Sequence, residues 1–329
     1  MSARPGVVSV VILNWNSKQH LLDCIASALA QTWPAVEVFL MDNASTNDSV
    51  ELARSHYPAL PVIQNGANLG FARAHNKAMR ETVGEFYMPL NPDVILSENF
   101  CAEMVRAIRQ ADDIGSAQGK IFFSDERGGS ERIFSTGHLL TKNRKSANRG
   151  YKRIDTGKYE QMDFIFGPNG ACPLYRRAML EDIQMDGQCF DENYFLYGED
   201  YDLCWRAQWL GWCSIYTPCA VAYHVHRGTG GFDLPFIQCQ FARNQYMTVL
   251  KNDHIPYLLL DTPYILLWEL IWQMHTLLTN PRRVLSNLRA YVGFMRAIPV
   301  VLRQRRQLNA RKRVTPRYMR SLFTGMVLR

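Results

Sequence analysis

The first hundred residues alternate between short apolar runs and longer segments with helical periodicity. The apolar runs "VVSVVILN" (7–14), "VEVFLMD" (36–42), "PVIQN" (61–65) and "EFYMPLN" (85–91) have the length of strands. Between them lie three segments with the spacing of amphipathic helices: "SKQHLLDCIASALAQ", "NDSVELARSHY" and "FARAHNKAMRE". The first of these is predicted to bury Leu21, Leu22, Ile25 and Leu29. Strand–helix alternation of this kind predicts an α/β fold with a mainly parallel sheet and helices on both faces.

Polar side chains follow the apolar runs, at the points where strands are expected to end. In open parallel sheets, ligands bind beyond the carboxyl ends of the strands. No G-x-G-x-x-G sequence follows the first run, which argues against a dinucleotide-binding site. The polar groups expected to converge at this edge are Asn14-Trp15-Asn16, Asp42-Asn43 and Asn91-Pro92-Asp93.

Past residue 112 the pattern is less regular. Short strands are predicted around "GSAQGKIFF" and "RIFSTGHLL", followed by a mobile polar loop over 141–160 and a turn leading into a helix over 167–180. "EDYDLCWRAQWLG" predicts a helix with Leu203, Ala207 and Leu210 inward, ended by Gly211. Two strands are predicted at "WCSIYTP" and "AVAYHVH".

The segment 193–212, "NYFLYGEDYDLCWRAQWLGW", places Glu199, Asp200 and Asp202 in one of the most aromatic parts of the chain. Burying an ionised acid among apolar rings costs free energy unless a cation or hydrogen-bond donor pairs with it, so such an acid usually has a structural or catalytic role. Acids in a first helical turn complement the helix dipole and cap free N–H groups. A shielded carboxylate at that position is also suited to act as a general base. The residues alone leave both interpretations open.

Three further groups have a functional and a structural interpretation. Asp93 is suited to hold a divalent cation on a diphosphate or to cap the helix that follows. Asp42 and Asn43 are suited to bind a nucleobase or ribose, or to form an Asx turn. His224 and His226 lie two residues apart on a predicted strand, so their side chains are on the same face. They are suited to bind a metal or a phosphate, or to be hydrogen-bonded core residues.

Composition and charge add two constraints. Apolar residues make up 47% of the 329 and charged residues 20%, as in a globular protein. The eight cysteines are scattered, which favours a reducing compartment over a disulfide framework or a zinc site. No secretory signal is recognised at the N-terminus.

Charge is distributed unevenly along the chain. Residues 270–329 hold 13 of the 37 Lys and Arg and no acid, so 24 basic and 30 acidic residues remain before them. The chain is an acidic body with a basic tail.

An apolar segment, 255–278, leads into this tail and contains Asp261, Glu269 and two prolines. These residues argue against a simple crossing of the bilayer, which needs about 20 mostly apolar residues. An amphipathic region lying on an anionic membrane surface fits better. A helical subdomain packed on the body is the alternative. Nucleic acid is not expected as a partner, because no nucleic-acid module is recognised.

The order of the motifs resembles glycosyltransferase family 2, and within it the bacterial rhamnosyltransferase-like members. The resemblance covers about residues 5–235 and rests on "VVSVVILNWN", "MDNASTNDS", "NLGFARAHNKAM", "FYMPLNPDV", "GACPLYRRAML", "FDENYFLYGEDYDLCWRAQWLGW" and "PCAVAYHVHRGTGG". It implies a GT-A fold, a nucleotide-sugar donor, a divalent Mg²⁺ or Mn²⁺ ion and inversion at the anomeric carbon.

The resemblance also implies residue roles. Asp42 matches the acid that contacts the base, and Asp93 the metal ligand of the family's D-x-D motif, in which Asn91 replaces the first Asp. Asp200 matches the catalytic base, with Glu199 beside it. His224 matches a histidine near the diphosphate and metal, whereas His226 has no assigned role. The nucleotide-sugar site is expected to include Asn14, Asn16, Asp42, Asn43, Gly70, Asn76, Asn91 and Asp93.

Residues 1–235 are thus expected to form a GT-A catalytic domain, and residues 236–329 a basic, helical, membrane-associating region. The expected enzyme is cytoplasmic and peripheral on the inner face of the plasma membrane. It would transfer a sugar, best guess L-rhamnose, from a dTDP- or UDP-sugar to a polyprenyl-diphosphate-linked saccharide or polysaccharide in cell-surface glycan biosynthesis.

Two alternatives remain at this point. A nucleotidyltransferase would favour a Gly-rich phosphate loop with a lysine after the first strand, which "NWNSKQHL" does not supply. A non-catalytic membrane adaptor with a nucleotide-sugar fold would tolerate replacement of Asp200.

Overall fold

The computed structural model describes residues 3–124, 130–225, 234–279 and 282–324. The first half contains β1 Arg4–Asn14, α1 Lys18–Leu29, β2 Val36–Asp42, α2 Ser49–His56, β3 Val62–Gln64, α3 Gly70–Glu81, β4 Gly84–Leu90, β5 Val94–Leu96, α4 Phe100–Ile108, β6 Ile114–Phe123, β7 Ile133–Ser135, β8 His138–Thr141, β9 Ser146–Asn148 and β10 Asp163–Ile165. The second half contains β11 Leu174–Arg176, α5 Arg177–Asp182, α6 Glu199–Trp209, β12 Cys213–His224, α7 Leu234–Asn252, α8 Ile255–Thr279, α9 Arg282–Asn309, α10 Pro316–Ser321 and β13 Phe323–Thr324.

The main sheet has the strand order β10-β12-β6-β11-β4-β1-β2-β3. Its central strands are parallel: β1 pairs with β4 on one side and with β2 on the other, and β3 extends this part beyond β2. The register sets Asn14 beside Asp42, and Ile12 beside Leu90, so the polar residues that end these strands meet at one edge. The mainly parallel sheet predicted from the alternation is confirmed.

Helices cover both faces of this sheet, as predicted. Val8, Val10 and Ile12 of β1 pack in one core with residues of α1 and α4, while Val11 packs in a second core with α3, α5 and α6. Strand side chains alternate between faces, so a strand apolar on both sides requires a helical layer on each side.

Three local predictions were wrong. Leu29 is 50% exposed, because α1 turns Leu21, Cys24, Ile25 and Ala28 inward instead. The polar segment 141–160 is not a free loop: it contains β9, and its Arg144 is buried between Asp253 and Asp261. The two strands predicted at 212–226 are one strand, β12, whose register against β6 shifts between Tyr216 and Val221. The shift spans a proline, which has no N–H to donate to a ladder.

The C-terminal helices pack on the body through several elements. Met247 of α7 packs with Tyr194 of the body and Val301 of α9. The chain then returns through α10, and β13 pairs parallel to β8 with Phe323 opposite Leu140. Among the described residues, no helix is both long and apolar enough to cross a membrane.

Candidate active site

A cleft of about 590 Å³ opens at the carboxyl ends of β1, β2 and β4. Residues from distant parts of the chain line it, including Trp15, Phe134 and Asn169. The cleft brings together most of the predicted site residues: Asn16, Asn43, Gly70, Asn91, Asp93, Glu199, Asp200 and His224. His226 lies outside the described residues.

Asn14 and Asp42 do not line this cleft. Both are buried, and Asn14 Nδ2 donates hydrogen bonds to Asp42 Oδ1 at 2.8 Å, Ser45 Oγ at 3.0 Å and Ser49 Oγ at 2.9 Å. Asp42 also accepts from the N–H of Ser45 at 3.0 Å and from its hydroxyl at 2.6 Å. These two side chains join the ends of β1 and β2 to the following turn, so they support the floor of the cleft.

Asn76 also lies away from the cleft lining. Its Nδ2 donates to Phe190 O at 2.7 Å and to Glu192 Oε1 at 3.0 Å, and its Oδ1 accepts from the Phe190 N–H at 3.0 Å. A buried amide that pairs with backbone in this way fixes α3 against the segment that leads to α6.

Gly70 allows α3 to approach the segment before α6 closely. Its φ is +72°, and a Cβ at this position would lie 2.4 Å from Phe195 O. The next residue, Phe71, donates its N–H to the same carbonyl at 2.9 Å. Asn43 Nδ2 donates to Gly70 O at 3.2 Å. A glycine is required here because any side chain would meet backbone and the left-handed conformation is strained for other residues.

Asp93 and His224 form one side of the cleft. β5 and β12 pair antiparallel with His224 opposite Val94, and His224 Nε2 lies 3.1 Å from Asp93 Oδ1. Phe134 packs edge-on against the imidazole, with ring centroids 4.4 Å apart. A carboxylate and an imidazole are thus held side by side, facing the space where a ligand would enter.

Asp200 lies in the first turn of α6 and faces the cleft. Its Oδ2 accepts hydrogen bonds from His138 Nε2 at 2.9 Å and from the Gly170 N–H at 2.8 Å, and its Oδ1 accepts from the Tyr201 N–H at 2.7 Å. Burial raises the pKa of Asp200, but His138 and the two N–H groups outweigh burial and hold that pKa below its ordinary value. The carboxyl is therefore ionised at neutral pH.

Glu199, one residue earlier, is in the opposite electrostatic situation. It is buried, and its Oε2 has no hydrogen-bond partner within the described residues. Burial and the charge of Asp200 raise the pKa of Glu199 well above its ordinary value. Adjacent carboxyls in one cleft thus differ in protonation: the environment favours an ionised Asp200 and a protonated Glu199.

Asp202 has a structural role. It is fully buried on the far side of α6, where it pairs with Arg206 Nε at 2.9 Å and Lys251 Nζ at 2.8 Å. Asn252 Nδ2 donates to it at 2.7 Å. The third acid of the aromatic segment therefore anchors α7 to α6.

The aromatic side chains around these acids also fall into two groups, those that line the cleft and those that are buried in the core. Phe195 and Tyr197 line the cleft, whereas Tyr194 and Trp205 are buried in the two clusters that hold the C-terminal helices. Tyr194 donates or accepts a hydrogen bond with Thr248 at 2.8 Å, and Trp205 packs edge-on against Phe166. Of these four aromatic residues, only Phe195 and Tyr197 are therefore placed to contact a ligand in the cleft.

Comparisons with known proteins identify the family. The sequence profile described as "Glycosyl transferase family 2" matches residues 9–184, which is more than half of the chain. The chain belongs to glycosyltransferase family 2. It is 27% identical over 249 residues to an N-acetylglucosaminyl-diphospho-decaprenol L-rhamnosyltransferase of Mycobacterium tuberculosis, covering 68% of this chain and 78% of the relative. A Bacillus subtilis protein described as an uncharacterised glycosyltransferase, YwdF, is 24% identical over 255 residues, covering 75% of this chain and 84% of that one.

Solved structures give the fold of this glycosyltransferase. GalNAc-T7, solved with UDP, GalNAc and Mn²⁺, superposes with a TM-score of 0.57 at 16% identity, covering 74% of this chain and 48% of that chain. A Pyrobaculum calidifontis mannosyltransferase solved with GDP-Man and Mn²⁺ has a TM-score of 0.52 at 16% identity, covering 89% and 75%. The GT-A fold expected from the motifs is confirmed.

The glycosyltransferase has residues that suit a divalent metal. Within the residues the structure describes, no three His, Cys, Asp or Glu side chains are grouped to hold an ion by themselves. Asp93 and His224 offer two ligand atoms, and Asn91 lies beside them in the cleft lining. Mg²⁺ is commonly held by one or two carboxylates together with phosphates of the substrate. The donor set fits an ion that a nucleotide diphosphate completes.

Three features that contact the cleft residues Asp200 and His224 were not predicted from the sequence. His138 contacts Asp200 from β8, and Gly170 and Phe134 place a backbone N–H and a ring next to Asp200 and His224. His138 lies 62 residues before Asp200, in a run that predicted only a strand. The one local signal was a histidine followed by two leucines in a predicted strand, which by itself is more typical of a core residue.

Proposed function

We propose that the chain is an inverting, metal-dependent sugar transferase that uses Asp200 as its base and a nucleotide sugar as its donor. The observation that carries the proposal is the position of the Asp200 carboxyl, which accepts two hydrogen bonds at its Oδ2 in the cleft that Asp93 and His224 also line. A base next to a group suited to a diphosphate is the arrangement that an inverting transfer requires.

In the proposed reaction, the acceptor hydroxyl attacks C1 of the donor sugar from the face opposite the diphosphate. Its proton passes to Asp200 as the new bond between the acceptor oxygen and C1 forms. The bond between C1 and the phosphate oxygen breaks, and the electron pair leaves with the nucleoside diphosphate. A Mg²⁺ or Mn²⁺ ion held by Asp93 and His224 would supply positive charge to the departing diphosphate. Phe195 and Tyr197 bound the cleft and limit the access of water.

Asp42, Asn43, Asn14 and Asn16 are proposed to form the nucleoside end of the site. Asn16 and Asn43 line the cleft, and Asn16 Oδ1 accepts from the Thr46 N–H at 2.8 Å. Asn14 and Asp42 hold the strand ends behind them. In this proposal Asp42 acts mainly by fixing the turn at 43–46, on which a base or ribose would rest.

The best candidate donor is dTDP-L-rhamnose and the best candidate acceptor a polyprenyl-diphosphate-linked saccharide. The support is the mycobacterial relative, whose name specifies rhamnosyl transfer to a decaprenyl-diphosphate-linked N-acetylglucosamine. An acceptor of this kind remains in the membrane through its lipid, so the enzyme must work at the bilayer surface.

The C-terminal helices support a location on the membrane. Thr276 is the one residue of α8 that is buried, and α8 exposes many large apolar side chains, among them Leu260 at 70% and Leu278 at 79%. Exposed apolar surface of this size marks an interaction site. Arg289 and Arg296 are exposed on α9, the helix that contacts α8, and positive charge there favours an anionic surface. We therefore place the enzyme peripherally on the cytoplasmic face of the plasma membrane.

The test is nucleotide-sugar turnover with Mg²⁺ or Mn²⁺. The full chain is incubated with UDP-, GDP- and dTDP-sugars and a detergent-solubilised polyprenyl-diphosphate-linked N-acetylglucosamine, and nucleoside diphosphate release and the glycolipid product are followed. Asp200→Asn is expected to lower the rate by about 10²- to 10⁴-fold, the usual contribution of a general base. Asp112→Asn makes the same chemical change at an exposed site and should leave the rate unchanged.

The result separates the proposal from its rivals. Product from one donor, lost in Asp200→Asn and kept in Asp112→Asn, supports the transferase and names the sugar. Full activity in Asp200→Asn would refute the role of Asp200. Donor binding without turnover of any sugar would favour a non-catalytic adaptor.

A further inference from the structure

We infer that His138 is a positioning residue for Asp200: its imidazole fixes the carboxylate through Oδ2, so that the other carboxylate oxygen accepts the proton of the acceptor. This inference rests on the proposed role of Asp200 as base. No motif of the family sequence pattern described above includes His138, which reaches Asp200 from the small sheet formed by β8, β9 and β13.

The imidazole is held rigidly. The His138 N–H donates to Gly167 O at 2.7 Å, and the residue pairs with Asn148 in the β8–β9 ladder. Tyr201 packs edge-on against the ring, with centroids 5.6 Å apart and planes at 90°. Strand pairing fixes the backbone of His138 and Tyr201 packs against its ring, which together support the orientation in which Nε2 is directed at Asp200.

The hydrogen-bond pattern determines which ring nitrogen carries hydrogen. An ionised carboxylate only accepts hydrogen bonds, so Nε2 must be the donor to Asp200 Oδ2. The other nitrogen, Nδ1, is buried and has no hydrogen-bond partner in the described parts of the chain. A buried N–H without an acceptor is costly. The favoured tautomer therefore has hydrogen on Nε2 and a bare Nδ1.

The two oxygens of Asp200 consequently have different roles. Oδ2 accepts from His138 and from Gly170, whereas Oδ1 accepts one hydrogen bond among the described residues, from the Tyr201 N–H. Oδ1 thus keeps a lone pair for the acceptor hydroxyl. In the transfer step the acceptor O–H bond breaks and its proton goes to Oδ1, while His138 keeps its own proton on Nε2 throughout.

The remaining titratable groups near Asp200 do not stabilise its charge. Burial, together with the negative charge of Asp200, raises the pKa of each of them: Tyr175 on β11 and Glu199, Tyr201 and Cys204 on α6. All four then favour their protonated forms. His138 acts in the other direction, because its hydrogen bond to Oδ2 favours the ionised carboxylate.

The experiment compares His138→Phe, which keeps a ring without the donor, with His138→Gln, whose amide N–H₂ can still donate. The pH profiles of kcat and kcat/KM are measured for both, and the Asp200 carboxyl is titrated by carbon NMR, with its signal assigned from Asp200→Asn. For His138→Phe we expect kcat to fall about 10- to 100-fold, as for other supporting hydrogen bonds. We also expect the acidic limb of the profile to move up by about one pH unit.

His138→Gln should restore most of kcat and return the acidic limb toward that of the wild type. The KM for the donor should change little in either variant, because His138 is not proposed to touch the donor. Thermal unfolding shows whether either variant has lost its fold. If His138→Phe does not fold, His138→Gln is compared with the wild type instead.

Two results would overturn the inference. The first is an Asp200 titration midpoint that is the same in the wild type and in His138→Phe. The second is a loss of kcat that His138→Gln does not restore and that leaves the acidic limb of the pH profile unchanged. The latter is the result of a packing defect. If Asp200→Asn proves fully active, the proposed function fails instead. The NMR titration still reports whether His138 controls the carboxyl, so the two failures are distinguishable.

Discussion

His224 Nε2 lies 3.1 Å from Asp93 Oδ1, although 131 residues separate them along the chain. The contact exists because β12 runs antiparallel to β5 at the border of the main sheet. The carboxylate comes from the turn after a central parallel strand and the imidazole from the end of β12. The diphosphate side of the proposed site is therefore assembled from two separate parts of the fold.

Asp93→Asn should remove the dependence of donor binding on metal. Mn²⁺ is expected to tighten binding of the nucleoside diphosphate to the wild type, because the ion is shared between Asp93 and the phosphates. In the variant this gain should fall by about tenfold or more, equivalent to roughly 1.4 kcal/mol or more. Calorimetric titration with and without Mn²⁺ measures it, with Asp112→Asn as control. An undiminished gain in Asp93→Asn would exclude Asp93 as the ligand.

Glu199→Gln should raise thermal stability at neutral pH. The folded-state pKa of Glu199 is raised, so the unfolded chain releases its proton first and the folded state loses stability as pH rises above the unfolded value of about 4.3. A neutral amide has no such loss. Unfolding temperatures at pH 7 and pH 4 test this: the advantage of Glu199→Gln should be present at pH 7 and small at pH 4. Glu98→Gln, at an exposed site, should show no such difference.

Gly170→Ala should impair catalysis without unfolding the protein. A Cβ at this position would lie 2.9 Å from Asp200 Oδ2, so the carboxylate must move away from the Gly170 N–H and from His138. Misplacing a reacting group by about 1 Å can cost about 100-fold in rate. Steady-state kinetics together with thermal unfolding measure both properties. Wild-type kcat in a folded Gly170→Ala would show that the position of Asp200 is not critical.

Lys251→Met should destabilise the fold. Lys251 is buried and pairs with Asp191 at 2.6 Å and with Asp202 at 2.8 Å, so its removal leaves buried carboxylates without their cation. Breaking a buried pair in this way costs about 3–5 kcal/mol. The free energy of unfolding, measured by urea titration, should show this loss, whereas Lys142→Met at an exposed site should change it by less than about 0.5 kcal/mol.

The effect of Lys251→Met should also depend on pH. Burial raises the pKa of Asp191, but the Lys251 ammonium outweighs burial and holds that pKa far below its ordinary value. This stabilisation is present above the unfolded pKa of about 3.9 and is lost as pH falls through the folded value. The deficit of Lys251→Met should accordingly be largest near neutral pH and shrink in acid. A deficit that is constant with pH would point to a loss of packing alone.

Replacing Leu267 and Leu270 by Glu should weaken binding to membranes. Both are exposed on α8 three residues apart, so they lie on one helical face. A buried leucine side chain contributes about 1.5–3 kcal/mol, so the double variant should bind vesicles at least about tenfold more weakly. Co-sedimentation with vesicles containing phosphatidylglycerol, compared with phosphatidylcholine alone, measures this. Leu29→Glu, an equally exposed leucine of α1, should bind like the wild type.

The local pattern predicted the helix that holds the acids but not how much of it is buried. Leu203 and Ala207 of α6 and the following Leu210 are buried as predicted, but so is every other residue from Tyr201 to Trp209, and Gly211 follows the helix with φ +82°. The same pattern failed for the face of α1, where a cysteine and an alanine are buried and Leu29 is not. Hydrophobic periodicity measures which residues prefer burial, whereas the shape of the opposing layer decides how many large side chains fit.

By itself, the sequence determined the alternation of strands and helices, the edge at which the site lies and the acidic segment that reaches it. These follow from local periodicity and from the geometry of parallel strands, which brings their carboxyl ends together. Only the tertiary structure decided the separate roles of Glu199, Asp200 and Asp202. Glu199 is buried beside the charge of Asp200, Asp200 contacts His138, and Asp202 pairs with Lys251. For Asp200 and Asp202 the charge state and pairing depend on neighbours that folding brings from distant parts of the chain, His138 on β8 and Lys251 on α7, and no local pattern encodes those neighbours.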